Sequence, residues 1–139
     1  MKLVCVSKPI KLREKKSSDN VHLFTQYFIP SNKHRHDELK KCLKLNALNR
    51  DVYKIHLLVE RTYTISELGT SSDKIIQTVI GKRLTFQEVF MYIRTNRICG
   101  YLVLLNSDIC FASTALINLK RSELHIKKQA LALLRYEYN

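Results

Sequence analysis

With 139 residues, 45% of them hydrophobic and 26% charged, the chain has the size and make-up of one globular domain. It holds no apolar run of the roughly 18 residues a membrane span requires, and residues 1–6 are too short for a signal-peptide core, so a cytoplasmic protein is expected. A net charge of +12 makes phosphate-bearing partners, nucleic acid among them, the first to consider; four cysteines without C-x-x-C spacing argue against a zinc site or a disulfide framework.

Residues 1–20 read as a basic extension standing apart from the rest. A short edge strand over residues 1–6 leads into a charged, serine-containing linker over residues 11–20, and the extension holds +4 of the net charge. The remaining +8 is spread from Lys33 to Arg135 without a dense block, and no nucleic-acid-binding motif is recognisable.

A regular pattern begins at Val21 and defines a domain over residues 21–139. Residues 21–29, rich in β-branched and aromatic side chains, predict a strand stopped by Pro30. Residues 37–49 predict a helix with Leu39, Cys42, Leu43, Asn46 and Ala47 on its apolar face and Lys40, Lys41 and Lys44 opposite. A second strand over residues 53–59 is followed by a polar stretch over 62–73 that turns at Gly69, and residues 74–80 predict a third strand. Thr85 with Glu88 is a capping box, and Leu84 with Val89 the hydrophobic staple around it. The helix so started is expected to bury Phe86, Val89, Phe90 and Ile93. The uncharged run from Gly100 predicts a fourth strand, central in a sheet covered on both faces and ending in Asn106, Ser107 and Asp108. Ser113 or Thr114 caps a short helix to Arg121, and residues 130–138 read as a last strand. Strands alternating with helices in this way imply an α/β three-layer, Rossmann-like domain with a mostly parallel sheet. Its three glycines lie in neither a dinucleotide fingerprint nor a P-loop, which argues against a classical NAD enzyme or NTPase.

Open α/β sheets bind ligands in the crevice beyond the carboxyl ends of their strands. That rule puts Asp108 where a ligand or a metal ion would sit; the competing role is an Asx-type turn in which Asn106, Ser107 and Asp108 cap the next helix. Thr25 and Gln26, near the end of the strand that starts at Val21, can meet a base or ribose or simply face outward. Glu60 and Arg61 end the next strand, either as a surface ion pair of about 0–1 kcal/mol or with Glu60 on ribose hydroxyls. Lys82 and Arg83 stand before a helix N-terminus that favours anions, a setting suited to a diphosphate. His34, His36 and Asp37 lack further ligands at metal-site spacing and read as exposed, while His22, His56 and His125 read as isolated. Cys110 invites a nucleophile role, but no histidine stands near it in sequence.

Five stretches together resemble a glycosyltransferase-like family of the GT-A (nucleotide-diphospho-sugar transferase) type, found in large DNA viruses and microbes. They are Phe24-Thr25-Gln26-Tyr27-Phe28, Leu58-Val59-Glu60-Arg61, Ile80-Gly81-Lys82-Arg83-Leu84-Thr85-Phe86, Asn106-Ser107-Asp108-Ile109 and Ala132-Leu133-Leu134-Arg135-Tyr136-Glu137. The resemblance runs from about Val21 to the C-terminus, and a viral origin would make the compartment a host cytoplasm. It implies a nucleoside-diphosphate-sugar donor contacted by Thr25, Gln26, Glu60, Lys82, Arg83 and Asn106. It also implies a divalent ion, Mn²⁺ or Mg²⁺, on Asp108, since a hard cation neutralises a departing diphosphate. Two departures matter: Ala112 stands where the related pattern has a second acid, and the chain stops before the acceptor-binding half. Transfer of the sugar to a hydroxyl would then need an acceptor site from a partner chain or a homodimer. The other classes left open are a non-catalytic basic module for nucleic acid or nucleotides, and an inactive remnant of a transferase.

Overall fold

The uncharged segment that starts at Gly100 lies where its composition places it, inside a sheet. A computed structural model describes residues 2–7, 19–112 and 114–133. In chain order its elements are β1 (Lys2–Ser7), β2 (Val21–Thr25), α1 (Lys33–Leu48), β3 (Val52–Val59), α2 (Ile65–Leu68) and β4 (Ile75–Val79). There follow α3 (Phe86–Thr95), β5 (Gly100–Leu104), α4 (Ala115–Arg121), α5 (Leu124–Lys127) and β6 (Leu131–Leu133). The strands form one sheet in the order β4-β3-β2-β5-β1-β6. Neighbours from β4 to β5 are parallel, whereas β1 runs antiparallel to both β5 and β6. The α/β, Rossmann-like, mostly parallel architecture is thus present.

Period-two alternation divides the sheet into two faces. Leu23 of β2, Ile55 and Leu57 of β3, and Tyr101 and Val103 of β5 join one buried cluster, packed against Leu39, Leu43 and Ala47 of α1 and Leu116 and Leu119 of α4. Phe24, Leu58, Leu102 and Leu104 join a second cluster with Val89 and Ile93 of α3. Every residue of β5 is buried, as a strand covered on both faces requires. From β2 the chain steps outward to β3 and β4 with α1 on one face. It then returns past β2 to β5 with α3 on the other. Stepping in opposite directions with one hand of crossover demands opposite faces, so the two clusters follow from chirality. Between β2 and β5 the strand order reverses, and that is the switch point where such sheets bind ligands.

Several expectations are corrected. The strand expected at an edge, β1, is an interior strand bonded to β5 and β6. An antiparallel return needs no crossover helix, so nothing in six residues marks which neighbours they find. β2 leaves the ladder at Thr25 rather than residue 29, and Tyr27 turns inward to donate its hydroxyl to the Glu67 carbonyl at 2.7 Å. α1 starts earlier than its apolar pattern, at Lys33, because Asn32 caps it by accepting from the Arg35 amide at 3.1 Å. All five residues expected on its inner face are buried. The polar stretch 62–73 contains α2, started by a second capping box, Thr64 with Glu67, and stopped by Gly69 at φ 71°. A side chain at Gly69 would also press on Lys40, with the added Cβ only 3.0 Å from its stem.

α3 starts at the expected capping box, yet its buried stripe is Val89 and Ile93 alone. Phe86 is 60% exposed and Phe90 43%, contrary to expectation. They lie on a helical row beside the stripe that meets the sheet. Thr114 precedes α4 without a side-chain capping bond, and Ser113 lies outside the described residues. Of the last expected strand, β6 covers Leu131–Leu133; residues 134–138 lie outside the described residues. Among the described residues no helix is long and apolar enough to cross a membrane.

Candidate functional site

At the switch point, the loop before α3 is tied directly to the end of β2. Gln26 donates from Nε2 to the Lys82 carbonyl at 3.2 Å and accepts from the Leu84 amide at 3.1 Å. Leu105, just past β5, donates its amide to the Phe24 carbonyl at 3.1 Å, which keeps the two strand ends level. Between them and the N-terminus of α3 opens a groove of about 400 Å³, within the range of small-ligand sites. Phe24, Leu104 and Val89 form its floor, Leu84 and the exposed Phe86 one wall, and Leu105 with Asn106 the rim.

Asn106 is exposed at this rim. Lys82 and Arg83 precede the groove wall on the same loop. Lys82 reaches Glu88 at 2.5 Å, and that contact together with the Thr85 capping bonds pushes the Glu88 carboxyl down to about 2. The Arg83 side chain is exposed and has no hydrogen-bond or ion-pair partner among the described residues. Thr25 is buried on the α1 face, where it lines a cavity of about 10 Å³, room for roughly one water. Glu60 is exposed at the end of β3. Arg61 pairs not with Glu60 but with Glu67, at 2.8 Å, while its guanidinium stacks 4.2 Å over the Tyr63 ring. The Arg61 contact and the Thr64 cap hold Glu67 down at about 2. Of the six residues expected to contact a donor, Asn106 lines this opening; Gln26 braces the loop that carries Lys82 and Arg83 just outside the lining, and Thr25 and Glu60 lie elsewhere.

Asp108 lies on the other face. Its side chain is 6% exposed and accepts from Arg35 Nη2 at 2.8 Å, while Arg35 Nη1 reaches Glu38 at 2.6 Å. It is not an open carboxylate, since Arg35 reaches it from α1, 73 residues earlier in the chain. Contact with Asp108 and Glu38 raises the Arg35 pKa further above its ordinary value. The second acid of the related pattern is replaced by the exposed Ala112, and no cluster of three or more His, Cys, Asp or Glu able to hold a metal occurs among the described residues. One carboxylate already neutralised by arginine does not fit Mn²⁺ or Mg²⁺, which take several oxygen ligands.

The rest of the 106–111 loop is docked on the same helix. Asn46 donates to the Ile109 carbonyl at 2.9 Å and accepts from the Phe111 amide at 3.0 Å, with its own side chain fully inside. Arg35, Glu38, Cys42 and Asn46 thus form one row on α1 facing the loop. The arginine and the glutamate escape an apolar-face reading, and only a pairing over 73 residues would have revealed the contact.

Two histidines read as isolated are in fact bonded to each other. His22 Nδ1 and His56 Nε2 lie 3.0 Å apart beneath α3, and His56 Nδ1 meets the Tyr92 hydroxyl at 3.1 Å. Thr78 donates to the same hydroxyl at 3.4 Å, completing a partly buried chain from β2 to β4. Phe24 stacks on His56 with ring centres 4.7 Å apart. Desolvation holds both imidazoles neutral, lowering each to about 4. Their positions, alternate residues on neighbouring strands, were the only available signal. His36 is also engaged, meeting both the Tyr27 hydroxyl and the Glu67 carbonyl at 3.1 Å. Compared with known proteins, the chain matches no family model, no curated protein and no solved structure.

Proposed function

We propose that this chain binds a nucleotide of the nucleoside-diphosphate-sugar class at the switch point, as a glycosyltransferase-like domain. The observation that carries the reading is the groove of about 400 Å³ beside α3. Its apolar floor and the exposed Phe86 ring suit the face of a base, and the Asn106 carboxamide suits a base edge or a hydroxyl. Lys82 and Arg83 offer charge to the diphosphate from the loop that leads into a helix N-terminus. The sugar is the part supplied by the resemblance of the five short stretches to the GT-A-type family. Transfer to a hydroxyl acceptor is the reaction that goes with such a donor. No carboxylate or imidazole of the described residues lines the groove, so we assign no catalytic base, and a second copy or a partner chain is where one would come from.

Thermal stabilisation by a panel of uridine, guanosine, adenosine and cytidine diphosphate sugars, with and without Mn²⁺, tests the reading. One base class at 100 times its Kd should add about 2.7 kcal/mol of stability. The gain should be independent of Mn²⁺, because Arg35 holds Asp108, and should shrink in Arg83→Ala. A flat panel would leave only ancestry. The second reading, a nucleic-acid binder, has behind it the net charge of +12 and the exposed row Lys33, Lys41 and Lys44 on α1. It predicts an oligonucleotide affinity that falls by roughly one log unit per log unit of salt for each phosphate contacted.

A further inference from the structure

The row on α1 that receives the 106–111 loop places two sulfurs together. Cys42 is one helical turn before Asn46 on the same face of α1. Asn46 holds the backbone on both sides of Cys110, through the Ile109 carbonyl and the Phe111 amide. Arg35, two turns before Cys42, holds Asp108. Cys110 is therefore pinned from both directions against the α1 row that carries Cys42, and its nearness is one cause of the raised Cys42 pKa. Cys42 is buried and Cys110 half-exposed, so one sulfur is open to a reagent and the other waits behind it. Sequence spacing had shown only scattered cysteines.

We propose that Cys42 and Cys110 form a reversible disulfide that locks the 106–111 loop onto α1. The co-reactant is a small organic disulfide. The Cys110 thiolate attacks one of its sulfurs, forming a mixed disulfide and expelling one small thiolate. Cys42 then gives its proton to solvent and attacks the Cys110 sulfur, expelling the second small thiolate. Two protein thiols lose two electrons and two protons, and the small disulfide is reduced to two thiols. Burial and the neighbouring Cys110 push the Cys42 thiol up to about 12, with the negative charges of Glu38 and Asp108 adding to the effect, so the second step is the slow one.

The lock acts on the loop that carries Asn106 to the groove rim. It is independent of what the groove binds, and its failure would leave the proposed nucleotide reading untouched. The test uses the full chain and oxidised glutathione. Peptide mapping without reductant should show the Cys42 and Cys110 peptides joined, with an intact mass lower by about 2 Da and two of the four thiols lost to titration. Closing so long a loop should raise the Tm by at least about 5 °C, an effect reversed by dithiothreitol. Cys99→Ser should leave the cross-link unchanged and Cys110→Ser should abolish it. A glutathione adduct that persists on Cys110 of the unmodified chain, or a cross-link through Cys5 or Cys99 instead, would overturn the proposal without recourse to any variant.

Discussion

The two faces of the sheet finish differently where β2 and β5 end. On the α1 face the loop after β5 is fastened, Asp108 to Arg35 and the backbone around Cys110 to Asn46. On the α3 face the same strand ends border an apolar groove, and the polar groups bond to one another in the partly buried His22–His56–Tyr92–Thr78 chain. The carboxylate that strand-end position and chemistry single out is on the fastened side. The open side is lined by phenylalanine, leucine and valine, with Thr85 and Asn106 its polar members. A strand-end rule locates a crevice along the sheet, but not the face on which it opens.

The largest effect should come from unfastening. Asn46→Leu would remove the side-chain partner of the buried Ile109 carbonyl and of the Phe111 amide, and a buried polar group that loses its partner costs about 1–3 kcal/mol. A loss of about 3 kcal/mol in urea unfolding is therefore expected, and a loss below about 1 kcal/mol would show that the α1 face is not held by this side chain.

Acid should separate the faces next. Neutral His22 and His56 sit at about 4, against 6.5 in the unfolded chain. Between those values the unfolded state binds more protons, so stability must fall as pH drops from 6.5 to 4 and change no further from this source below 4. The loss should be on the order of 3 kcal/mol, the size of one such shift, since the two titrations of the hydrogen-bonded pair are not independent. Glu67 and Glu88, held at about 2, act in a lower window, losing their contribution as pH falls from 4.5 through 2. His56→Phe should shrink the upper window to the share that buried His22 contributes and leave the lower one. A pH profile of unfolding free energy that is flat from 6.5 to 4 in the unmodified chain would break this account.

The smallest stability effect belongs to the groove wall. Phe86 is 60% exposed, so Phe86→Ala should shift stability by less than about 0.5 kcal/mol. It should nevertheless remove most of the nucleotide-induced rise in Tm. A substitution that leaves the ligand response intact would take the groove out of the proposed site.

What was legible in the sequence was local or periodic. Leu39, Cys42, Leu43, Asn46 and Ala47 declare the inner face of α1, and Thr85 with Glu88 declares the start of α3. The same capping signature at Thr64 and Glu67 was there to be read, but no apolar run follows it to suggest a helix. The position of Asp108 was a different matter. Alternation holds through β5, where Leu102 and Leu104 face α3, and it would carry residues 106 and 108 to the same side. A turn then intervenes, with the Ile109 amide bonded to the Asn106 carbonyl at 3.1 Å, and Asp108 swings towards α1. Once a turn breaks the period, no pattern states which face the next residue meets. The imidazole pair was hidden for a related reason: His22 and His56 are 34 residues apart, and only the pairing of β2 with β3 brings them together.

The placement of β1 has a consequence for how the molecule is made. Its partner positions include Leu3 with Leu104, so β1 cannot be seated until β5, about a hundred residues further along the chain, is in place. The parallel unit β2-α1-β3-β4 can assemble in the meantime, since its pairings are closer along the chain. Until β1 reaches it, β5 presents an unpaired edge, the kind of site at which strand exchange between copies begins.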